Sequence, residues 1–79
     1  MVKLFNIKKA DSLISCNYSP ENSNLIGFVE FDCTSEEIKQ LMYSAYEYGK
    51  KMYVAQTIAK LIELSKNDSI PNEAVAIWY

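Results

Sequence analysis

Apolar and polar positions alternate from the first residues of the chain. In VKLFNIKK, residues 2–9, Val2 and Leu4 fall with Asn6 and Lys8 on one side, and Lys3, Phe5, Ile7 and Lys9 on the other. A period of two predicts a strand. SLISCNY, residues 12–18, is rich in strand-forming types and predicts a second. SPENSN, residues 19–24, is a run of turn formers, with Pro20 suited to the second position of a turn. LIGFVEFDC, residues 25–33, carries the clearest alternation: Leu25, Gly27, Val29, Phe31 and Cys33 on one face, Ile26, Phe28, Glu30 and Asp32 on the other. Two such runs joined by a short polar loop predict a hairpin.

From Thr34 the period changes. Thr34 followed by Glu37 reads as a capping box, in which each side chain satisfies a backbone donor of the other residue. Residues 35–66 hold no proline and predict one long helix, stopped by NDSIPN, residues 67–72. EAVAIWY, residues 73–79, predicts a last strand. The fold class is α+β: a mostly antiparallel sheet of about four strands, in the order β-β-β-α-β, with a long helix on one face. Residues 1–79 read as a single domain, without repeat or linker.

The helix pattern has a discontinuity. With about 100° per residue, Ile38, Leu41, Met42, Ala45, Tyr46, Gly49, Met52 and Tyr53 gather on one side. Beyond Tyr53 the stripe swings by about half a turn, to Val54, Ile58, Leu61 and Ile62. A helix of some 32 residues would be about 48 Å long at 1.5 Å per residue, whereas a body of this size is only about 30 Å across. Either the helix breaks near Gly49 and wraps its own sheet, or it runs on and its second half is covered by another copy. The lone glycine, without a turn cluster around it, favours the second arrangement, a homodimer.

The segment DSLISCNYSPENSNLIGFVEF resembles the opening hairpin of the small KTSC domains: a serine-led strand, Pro-Glu in the turn, then an alternating strand. It covers about a quarter of the chain. The predicted long helix departs from that family's shorter helix and second strand, and no function or residue role is carried over.

Composition narrows the function classes. A 79-residue chain makes a small core that gains from a disulfide, a metal or a second subunit. There is no His and only Cys16 and Cys33, so neither a zinc site of the usual ligands nor a Cys–His nucleophile can be assembled. A hairpin centred near Asn22 sets the two cysteines on the order of 20 Å apart, too far for a bridge, so both are expected as free thiols. The start MVKLFNIKKADS lacks a signal-peptide core and no run is long enough to span a membrane, which points to a soluble cytoplasmic protein. The net charge is −2 and the basic side is lysine alone. Without Arg forks or a basic stripe, nucleic acid is the least favoured partner.

No catalytic, cofactor or metal residues emerge. Glu30 and Asp32 share a strand face and form a candidate acid pair or acidic docking patch, while Glu36 and Glu37 are explained by a helix start. Six tyrosines are many for this length. The pattern fits a small non-enzymatic protein-interaction module (a regulator, adaptor or phage-type inhibitor) acting as a homodimer. Its interface candidates are Tyr43, Tyr48, Val54, Ile58, Leu61, Ile62, Trp78 and Tyr79. The alternative is a small-ligand binding protein with a pocket between sheet and helix, lined by Tyr46, Tyr53 and Trp78.

Overall fold

The computed structural model describes residues 1–47 and 52–77. Five strands and one helix follow in the order β1 (Val2–Ala10), β2 (Leu13–Pro20), β3 (Gly27–Asp32), β4 (Glu37–Met42), α1 (Met52–Ser65) and β5 (Ala74–Ala76). The strands form one antiparallel sheet in the order β4-β3-β2-β1-β5. The α+β class and the helix packed on one sheet face stand as expected. The body measures 31 × 21 × 21 Å, and a helix of 14 residues, about 21 Å long, fits within it.

The first three strands lie where alternation puts them, with one change of face. Val2 and Leu4 are buried, but so is Ile7, which strict alternation would turn outward. Pairing jumps from Phe5↔Asn17 to Lys8↔Ser15, and Asn6 takes a positive φ of 54°. This bulge swings Ile7 round to the core. On β2 and β3 the buried sets are Ile14, Cys16 and Tyr18, and Val29 and Phe31. Tyr18 pairs with Gly27 and Cys16 with Val29, a register slightly longer in the loop than a hairpin centred at Asn22.

The long helix is corrected. Residues 37–42 form β4, paired to β3 from Asp32↔Glu37 to Phe28↔Met42. In place of the capping box, Asp32 takes the Thr34 amide that the box would have used, and the Ser35 amide beside it: both donate to Asp32 Oδ1, at 2.8 and 3.2 Å. A side chain that bonds the backbone two residues on makes a turn, and Glu36, at φ 58°, completes the reversal. The contrast with KTSC domains drawn on a single long helix goes with it. Gly49, where a break was weighed, lies outside the described residues.

The swing of the apolar stripe beyond Tyr53 has its own cause. Since residues 37–42 are a strand, only the second stripe has to meet the sheet. Val54, Thr57, Leu61 and Leu64 form the buried face of α1, with Tyr53 and Ile58 packed partly against the same core. Val54 is 6% and Leu61 0% exposed within one chain. The expectation that Val54, Ile58 and Leu61 need a second copy is therefore corrected: their own sheet covers them.

Candidate functional site

Residues paired across antiparallel strands share a face, so the register assigns each side chain a layer. One face of the sheet lies under α1. The other face carries the row Phe5–Asn17–Phe28–Met42 across four strands, and beside it the row Lys8–Ser15–Glu30–Gln40. At the turn end of β3 and β4, Asp32 stands directly opposite Glu37. Like charges in that position are unfavourable. Asp32 is held as a carboxylate by the Thr34 and Ser35 amides, which pull it below the usual range, and Glu37 pairs with Lys39 at 3.3 Å.

The helix covers β1, β2, β3 and β5 but does not reach β4. A groove is left between the C-terminal half of α1 and the β3–β4 hairpin, lined by Phe31, Cys33, Glu36, Ile62, Ser65 and Lys66. Ile38, opposite Phe31 in the register, is 46% exposed, and Ile62 on the helix is 37% exposed. On the other face Met42 is 66% exposed. Strand β4 thus shows large apolar side chains on both of its faces. Its outer edge pairs with no strand among the described residues.

This exposed strand is tied to the body at its far end. Tyr18 is wholly buried, and its hydroxyl oxygen accepts the Ser44 amide at 2.9 Å. Ser44 Oγ donates to the Leu25 carbonyl and accepts the Tyr46 amide at 3.0 Å. The Tyr18 ring lies against Gly27, where an added Cβ would overlap the ring and stand 2.8 Å from the Met42 carbonyl. A side chain at position 27 would therefore push the end of β4 off the sheet. The alternation reading placed Gly27 on the inward face without finding this role. A glycine opposite a tyrosine in a hairpin is the signal that could have shown it.

The start of α1 is fixed by two carboxylates. Glu47 Oε1 accepts the Val54 amide at 2.5 Å, while its Oε2 is buried with no hydrogen-bond partner among the described residues. Glu21 Oε2 accepts from the Met1 ammonium at 2.7 Å and from the Tyr53 hydroxyl at 3.0 Å. Burial and that carboxylate push the Tyr53 hydroxyl up to about 12. Tyr46 and Tyr53 meet edge to face, with ring centres 5.5 Å apart. The two rings therefore stand together at the start of α1, as a tyrosine-lined site would need, while Trp78, the third residue of that reading, lies outside the described residues.

Among the interface candidates, Tyr43 is exposed just after β4 and Ile62 lines the groove. Val54 and Leu61 are core and Ile58 is half-buried against it. Tyr48, Trp78 and Tyr79 lie outside the described residues. The cysteines are both free, Cys16 buried and Cys33 half-buried at the groove. Among the described residues no group of His, Cys, Asp and Glu could hold a metal ion, and no helix is long and apolar enough to cross a membrane. No family model, curated protein or solved structure matches the chain. The likeness to the KTSC hairpin thus remains one of a single hairpin.

Proposed function

We propose that this chain is a small protein-interaction module, a regulator, adaptor or inhibitor that works by occupying a partner's surface through β4. One observation carries the reading: the helix stops short of β4 and leaves Ile38 and Ile62 exposed on one face, Met42 is exposed on the other, and the strand edge between them is unpaired among the described residues. An edge with open backbone groups and apolar neighbours is what strand addition uses. Grouped apolar exposure of this kind marks interaction sites on small proteins. A second copy is no longer needed to cover the helix, and the partner proposed for β4 is a different protein.

The test is site-specific photo-crosslinking in the native host. A photoreactive residue replaces Met42, Ile38 or, as a control on the exposed back of α1, Ala55. Discrete adducts from positions 42 and 38, absent at 55, support the reading. An adduct at twice the chain's own mass moves the partner to a second copy. Equal labelling at all three positions, or none, removes β4 as the interface.

A further inference from the structure

We infer that the partner segment at β4 is extended and cationic, and that it joins the sheet as a sixth strand. This rests on the interaction reading and adds the partner's chemistry. The net negative charge of the molecule lies on one hairpin. Residues 27–42 carry Glu30, Asp32, Glu36 and Glu37 against Lys39, a net of −3. The whole chain carries −2, so everything outside the hairpin nets +1. The surplus negative charge therefore sits on the same element as the open edge.

Two features turn this hairpin away from a second copy of itself. Two edges of −3 each repel when brought side by side, and like-charge juxtaposition is a recognised means of rejecting a wrong partner. The register between β3 and β4 also shifts at Glu30/Phe31, leaving Lys39 as the extra residue of a bulge. A bulge with a lysine on an edge strand is a common guard against edge-to-edge association, and it closes that part of the edge to any strand, a copy's or a partner's. The regular part of the edge is Gln40–Met42, which continues into exposed Tyr43. An incoming strand there would set alternate side chains on the two faces of the sheet. Its apolar residues would meet Leu41, Ile38 and Ile62 on the helix side. Its lysines or arginines would lie over Glu30 and Glu37 on the open side.

The probe is a synthetic peptide of four Val-Lys repeats, with four Val-Glu repeats as its counterpart, titrated into the labelled protein and followed by amide NMR shifts. The Val-Lys peptide should shift amides at 38–43 and leave those of β5 in place. Raising salt from about 50 to 300 mM should weaken its binding about tenfold, because exposed charges are screened. The double variant Glu36→Lys with Glu37→Lys, checked for an unchanged circular dichroism spectrum, should lose the response. If that variant unfolds, Glu36→Gln with Glu37→Gln should weaken binding by a smaller factor. Shifts that map elsewhere, or an equal response to Val-Glu, overturn the inference. Crosslinks at Met42 without any response to Val-Lys would leave the interaction reading standing and dispose of the cationic partner alone.

Discussion

Cys16 and Cys33 differ by environment, not by sequence context. Burial pushes the Cys16 thiol up to about 12 from 9.0, so it stays protonated and unreactive in the folded chain. An alkylating reagent at pH 8 should add one group rapidly, at Cys33, and a second only after denaturation; mass spectrometry reads both steps. The linkage has a definite sign. The folded state keeps a proton that the unfolded chain releases near 9, so stability should fall as pH rises from about 9 towards 12. Denaturant midpoints at pH 8 and 10.5 should show that fall, and Cys16→Ala should reduce it, leaving the part that the raised Tyr53 hydroxyl contributes. Gly27 is the other residue with a single physical role. Gly27→Ala drives a methyl group into the Tyr18 ring, and overpacking of this kind costs roughly 1–3 kcal/mol. Tyr18→Phe removes the acceptor of a buried amide and should cost about 1–3 kcal/mol. Both losses would appear as lower melting temperatures.

At the scale of elements, α1 and β4 take opposite parts. The helix is core along Val54, Thr57, Leu61 and Leu64. Leu61→Ala should destabilise by about 2–5 kcal/mol, whereas Ile62→Ala, one position on and exposed, should stay within about 0.5 kcal/mol. Urea unfolding of the pair checks this directly, and equal losses would contradict the packing described. Strand β4 buries little: only Leu41 is even half-covered. It is held by the β3 ladder, the Asp32 turn and the Ser44–Tyr18 clamp. Its amides should therefore exchange with solvent faster than those of β2, which has a strand on each side.

For the molecule as a whole, shape and charge lead to one prediction about association. The apolar face of α1 is covered by its own sheet, and the exposed apolar residues Ile38 and Met42 lie on the acidic hairpin. Light scattering should give the mass of one chain at micromolar concentration and low salt. A dimer that strengthens with salt would mean the hairpin's apolar groups outweigh its repulsion, and would return the homodimer to consideration.

How much of this was legible beforehand differs by element. Alternation revealed β1, β2 and β3, because a period of two needs only local information and their buried faces agree with it. The final strand was read from its β-branched run. Residues 37–42 were read as helix because Ile38, Leu41 and Met42 fit a helical stripe as well as a bulged strand, and Thr34 with Glu37 imitates a cap. Which pattern prevails was settled by hydrogen bonds to β3 and by Asp32 taking the turn amides, contacts that exist only once the hairpin folds back. The bulge at Asn6, the ring over Gly27 and the exposed flank of β4 belong to the same class. Local pattern determined which residues are suited to burial. Tertiary pairing alone decided which of them the single helix could reach and which it left open.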